Sequence, residues 1–148
     1  MRFVMVDRIL DLVPGKSIEA IKVVSPSEEL FQDHFPGFPV VPGVLLTEMM
    51  AQASGKCLYA ENMERGYPVL LKIKEASFRK WAEPGQSIHL YAEVSSSKQD
   101  YATVKCHAKV NDKKICSAEL LFSFIKKDKF AGTETPEIFT LNGQNHAE

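Results

Sequence analysis

The sequence predicts an α+β domain in which a curved antiparallel sheet wraps one long helix. Two observations carry that expectation. A single stretch of helical composition, from Gly43 to about Ala60, is apolar nearly all the way round. It is followed by several runs of strict period-two alternation at hairpin spacing. The balance suits one domain with a real core: 148 residues, 45% apolar and 25% charged.

The elements can be justified in order. Ile18 to Val24 reads as a strand ahead of the helix. Ser25-Pro26-Ser27-Glu28-Glu29 is turn chemistry, and Pro36, Pro39 and Pro42 keep the next stretch extended. Pro42 can serve as the first helical residue, where its missing N–H costs nothing. Val44, Leu45, Leu46, Met49, Met50, Ala51 and Ala53 surround the helix, so it should be buried on most sides. Beyond Tyr67-Pro68 the period falls to two. Leu71 and Ile73 alternate with Lys72 and Lys74, and Ile88, Leu90, Ala92 and Val94 alternate with His89, Tyr91 and Glu93. Ala102, Val104, Cys106, Ala108 and Val110 form the cleanest stripe, Asn111-Asp112 a turn, and Cys116, Ala118, Leu120, Phe122 and Phe124 the last stripe. The domain is expected to span residues 1–127, with 128–148 a polar, disordered or loosely attached tail.

Charge and cysteines narrow the function. A formal net charge of −1 gives no basic excess for a nucleic-acid partner. No apolar run reaches membrane-spanning length, and Met1 to Asp7 is too soon interrupted for a signal peptide. Cys57, Cys106 and Cys116 follow no CxxC spacing and read as reduced, buried thiols of a cytoplasmic protein. His89 and His107 fall on the polar phase of their strands and read as surface residues.

The stretch "DHFPGFPVVPGVLLTE", Asp33 to Glu48, holds the candidate chemistry. Glu48 sits within the helix with Gln52 one turn on, where it could hold the carboxyl in place. Burial disfavours a charged carboxylate, which is one way a glutamic acid becomes a general acid near neutrality. A plainer reading is a hydrogen-bonded structural Glu at a polar edge. His34 lies in a loop that its prolines stiffen, and an imidazole is a natural base at neutral pH. Its plainer reading is simple exposure. The helix start at Gly43 offers free N–H groups for a developing oxyanion, and glycine lets a ligand approach the backbone.

These residues, as His34-Phe35-Pro36-Gly37, Pro42-Gly43-Val44-Leu45, Glu48 and Ala51-Gln52, resemble the β-hydroxyacyl-acyl-carrier-protein dehydratases of type II fatty acid synthesis. The likeness runs through Val6-Asp7-Arg8, Pro14-Gly15-Lys16-Ser17, Ala76, Phe78-Arg79-Lys80 and Pro84-Gly85, over about residues 3–126. It implies a hotdog fold assembled as a homodimer or trimer of dimers, with sites shared between subunits. By the same resemblance His34 and Glu48 are the catalytic pair, and Gly43 supplies an oxyanion-binding N–H. Val40 holds the histidine through its carbonyl, and Gln52 supports the acid. The implied substrate is a (3R)-hydroxyacyl chain on the phosphopantetheine of acyl carrier protein, dehydrated to the trans-2-enoyl thioester. No metal or redox cofactor is implied, and no nucleic-acid or membrane partner.

Several positions depart from the family pattern. Asp33 stands where glycine is common, Met49 replaces the usual Ala, and Gln86 a common Asp. Lys72-Ile73-Lys74 takes the place of a Gly-Ile-Asp-like segment, and Ser77-Phe78-Arg79-Lys80-Trp81 that of Arg-Phe-Arg-Arg-Pro. Trp81 reads as a packing or interface residue. The alternatives are a hotdog thioesterase, whose carboxylate would activate water, and a non-catalytic acyl-thioester binder. The intact His loop disfavours the first, and retention of both His34 and Glu48 disfavours the second.

Overall fold

The computed structural model describes residues 1–132 and 134–141. The central helix forms where its composition demands, as α2, Gly43–Glu61. Every residue from Met49 to Tyr59 is buried, as the all-round apolar pattern requires. Pro42 stands one position outside the expected place. It is the N-cap, with ψ of 141°, and its carbonyl accepts the first helical bonds from Leu45 and Leu46.

Six antiparallel strands wrap this helix: β1 Arg8–Val13, β2 Ser17–Val23, β3 Tyr67–Phe78, β4 Ser87–Ser97, β5 Tyr101–Val110 and β6 Lys113–Ile125. Their order in the sheet is β1-β2-β4-β5-β6-β3. The three long stripes do what alternation predicts. Ile88, Leu90, Val104, Ala108, Leu120 and Phe122 all point inward to the core shared with Leu46, Met49, Met50 and Leu58. Asn111 and Asp112, at φ of 50° and 64°, close the β5–β6 hairpin as a turn that needs the left-handed region twice.

Two elements lie outside the sequence expectation. β1 is an extra edge strand, and Leu30–Asp33 forms a short helix, α1, just before His34. β3 also differs in environment. Leu71 and Ile73 were expected to form a half-buried stripe, yet they are 54% and 47% exposed. The reason is position: among the described residues β3 pairs only with β6 and is the free edge of the sheet.

Residues 127–132 and 134–141 fold back on the helix. Phe139 is buried, stacked on Tyr67 with ring centroids 4.9 Å apart and packed beside Tyr59. The Lys56 ammonium, at the buried face of α2, donates to the carbonyls of Glu137 and Thr140. Of the expected tail, residues 133 and 142–148 lie outside the described residues.

Candidate active site

The loop that carries His34 is stiffened by more than proline. His34 ends α1, its N–H donating to Leu30 O at 3.0 Å. Phe35 and Phe38 then exchange two backbone bonds, at 3.1 and 2.8 Å, around a turn in which Gly37 takes φ of +75°. The His34–Phe35 peptide is cis. Val40 N–H returns to His34 O at 3.1 Å, and Val41 N–H ties the loop to Ala82 O at 2.8 Å.

That closure brings Val40 O within 3.1 Å of His34 Nδ1. A carbonyl can only accept, so Nδ1 is the donor, and in the neutral imidazole the lone pair is on Nε2. The imidazole is half-buried and stacks on Phe35, with centroids 4.1 Å apart. Beside it a cleft of about 250 Å³ is lined by His34, Val40, Gly43, Leu46, Phe78 and Trp81, with Arg79 and Lys80. Gly43 begins α2 at this cleft, and the first N–H groups of a helix have no partner within it. A methyl group on Gly43 would stand 3.2 Å from the Phe78 ring, so the glycine keeps this wall close to the helix start.

Glu48 is held independently. Gln52 is buried, and its Nε2 donates to Glu48 Oε2 at 2.9 Å and to Phe3 O at 3.1 Å. Its Oε1 accepts from Met5 N–H at 2.8 Å. An N–H cannot accept, so the carboxamide cannot flip without losing three bonds, and its amino side is committed to the acid. Glu48 itself is half-buried. The structure therefore joins His34 with Val40 and Gly43, and Glu48 with Gln52, as two groups. Glu48 does not line the cleft beside His34.

Sequence reasoning missed the roles of Phe3 and Met5. Both act through the backbone, 49 and 47 residues from Gln52, and no side-chain pattern announces such a contact. Trp81, read from the sequence as a packing or interface residue, stands at the cleft with 54% of its surface exposed. The three cysteines are free and buried, with burial pushing Cys57 and Cys116 up to about 11 and Cys106 to about 12, which leaves no thiolate nucleophile near neutral pH. Among the described residues no group of three His, Cys, Asp or Glu side chains is arranged to hold a metal. A larger hollow of about 640 Å³ lies across the sheet and contains neither His34 nor Glu48.

Known proteins supply the remaining comparison. The model of the FabA-like domain matches residues 1–119. A Levilactobacillus brevis protein named "3-hydroxyacyl-[acyl-carrier-protein] dehydratase FabZ" is 44% identical over 117 residues, covering 78% of this chain and 79% of its own. Among solved structures, the dehydratase heterocomplex ApeI:P of Xenorhabdus doucetiae aligns with a TM-score of 0.69 at 15% identity, covering 85% of this chain and 86% of that one. A hypothetical thioesterase of Streptococcus pneumoniae with coenzyme A aligns at 0.64 and 11% identity, over 80% of this chain and 88% of its own. At such identities the structural matches speak for the fold alone, and that fold is the hotdog.

Proposed function

This chain belongs to the FabA-like family that includes the 3-hydroxyacyl-acyl-carrier-protein dehydratases, and on that premise we propose that His34 and Glu48 carry out the dehydration. The protein is a lyase that removes water from 3-hydroxyacyl thioesters carried on acyl carrier protein, in fatty acid biosynthesis. The (3R)-hydroxy substrate and trans-2-enoyl product complete the reading.

One observation carries the mechanism: the Nδ1–Val40 O bond, which sets the tautomer so that Nε2 of the neutral imidazole is the basic nitrogen. With the thioester carbonyl at the Gly43 end of α2, the helix N–H groups stabilise the negative charge that develops on its oxygen. Nε2 then takes the α-proton. Glu48 gives a proton to the departing β-hydroxyl, which leaves as water. Because Gln52 donates to Oε2, that oxygen accepts, and Oε1 is the one that carries the proton to be given.

The acid that completes the His34 cleft comes from a second copy of the chain. Three features support this. Glu48 is absent from the lining of its own chain's cleft, and the free edge of β3 presents Leu71, Ile73 and Phe78 at 54%, 47% and 48% exposure. Val44, one turn before Glu48, is 77% exposed on the same helix that bears the acid. The dimer so formed holds two shared sites, and the assembly is this homodimer or a trimer of such dimers.

The test is turnover of a 3-hydroxyacyl thioester on acyl carrier protein by wild type, His34→Ala and Glu48→Gln. Each variant alone is expected to lose about 100-fold or more of kcat. Refolded together, the two inactive variants should recover roughly a quarter of wild-type activity, because half of the randomly mixed dimers carry one intact site. Recovery of nothing would place both residues in one chain's site. Release of free acid in place of the enoyl product would make the protein a thioesterase.

A further inference from the structure

The cleft beside His34 has an outer wall that proton transfer does not require. It is the segment following β3, Arg79 to Ala82, and its backbone is pinned on two sides. Arg79 and Lys80 N–H both donate to Ile115 O, at 2.9 and 3.1 Å, and Ala82 O accepts from Val41 N–H at 2.8 Å. The wall is thus fixed both to β6 and to the loop that carries the base.

Between these anchors stands Trp81, 54% exposed, its ring meeting Phe38 edge-on with centroids 5.3 Å apart and planes at 83°. Phe38 is itself 50% exposed. Two large apolar rings braced at right angles on a pinned backbone form a rigid surface, and an exposed surface of this kind marks a binding site. Arg79 and Lys80 line the same cleft.

We propose that Trp81 and Phe38 are specificity residues that bind the pantetheine arm of the substrate. The proposal rests on the dehydratase reading above, since that reaction brings such an arm to the cleft. The arm is an uncharged chain of methylene, methyl, hydroxyl and amide groups that ends in one phosphate anion. A flat aromatic face suits its apolar length, and its planar amides stack on indole with little loss of conformational freedom. The two cations next to Trp81 match the single phosphate in sign. His34 and Gly43 take the thioester end of the same cleft, so the arm passes the aromatic pair on its way out.

The experiment compares 3-hydroxybutyryl thioesters of acyl carrier protein, coenzyme A and N-acetylcysteamine, the last of which keeps the thioester but lacks most of the arm and the phosphate. Trp81→Ala is expected to raise KM about 5-fold to 10-fold for the first two substrates, with kcat within about twofold. For the N-acetylcysteamine thioester the loss in kcat/KM should be clearly smaller, within about twofold, and Trp81→Phe should restore most of the loss on the other two. Trp81 is the chain's one tryptophan, so its fluorescence reads binding without catalysis. In His34→Ala, coenzyme A should shift that emission, and N-acetylcysteamine should not.

Equal loss on all three thioesters would overturn the proposal and make Trp81 a support for the His34 loop. Loss of the dimer in Trp81→Ala, seen by light scattering, would make it an interface residue instead. Unchanged kinetics on every substrate would also overturn it. A wild type that turns over none of the thioesters, yet shifts its emission with coenzyme A, would overturn the dehydratase reading while leaving the arm-binding surface standing.

Discussion

Gln52 illustrates what single residues reveal. Its partnership with Glu48 could be read from i, i+4 spacing, and the order His34, Val40, Gly43, Glu48, Gln52 from one continuous stretch. The backbone groups of Phe3 and Met5 that fix its orientation could not, because any residue offers the same N–H and carbonyl. Lys56 is another residue whose environment the sequence concealed. Burial lowers its pKa to about 8, partly offset by Glu137, against an ordinary lysine value of 10.5. The sign follows from proton binding. Between those two values the unfolded chain holds more protons, so this lysine's contribution to stability rises with pH and is flat below about 8. The buried thiols act oppositely above pH 9, since their folded values are raised from 9.0. Comparing wild type with Lys56→Met cancels the thiols. Denaturant midpoints measured from pH 7.5 to 10.5 should show wild type gaining on the variant with rising pH. A constant difference would mean Lys56 is not desolvated.

At the scale of elements, α2 and the three inner strands were legible because burial on a known face imposes a period. β3 was legible as a strand but not as an edge, since alternation does not say what covers the outer side. The connection into β3 shows a constraint of another kind. Gly66 takes φ of 111°, and an added Cβ would lie 2.4 Å from Ile125 O, a backbone atom that cannot swing aside. Gly66→Ala should therefore destabilise by roughly 2–4 kcal/mol, read from its denaturation midpoint. The same junction uses Arg65, whose guanidinium lies 3.9 Å over the Phe124 ring and bonds Ser97 Oγ and Lys98 O. Arg65→Ala removes a cation–π contact and several hydrogen bonds at once, with an expected loss of about 2–3 kcal/mol by the same measurement.

For the whole molecule, the aromatic cluster of Tyr59, Tyr67 and Phe139 makes residues 137–140 part of the packing around α2. Composition hid this, because Ile138, Phe139 and Leu141 are too few to show a period. Phe139→Ala should cost about 3 kcal/mol, and a variant ending at residue 130 should unfold at lower denaturant than wild type. The strand order has a further consequence for how the protein is made. β3 leaves the ribosome before β4, β5 and β6, yet its only partner among the described strands is β6, the last to emerge. The wall that holds Phe78 and Trp81 thus has only the Val41 tie until the β6 residues Ile115 and Cys116 are made. A nascent chain stalled before that point already carries His34 and Glu48, but it exposes a long apolar segment in search of a strand. Chaperone capture should fall away as the β5–β6 hairpin clears the tunnel, and this enzyme's activity should appear only after β6 has emerged.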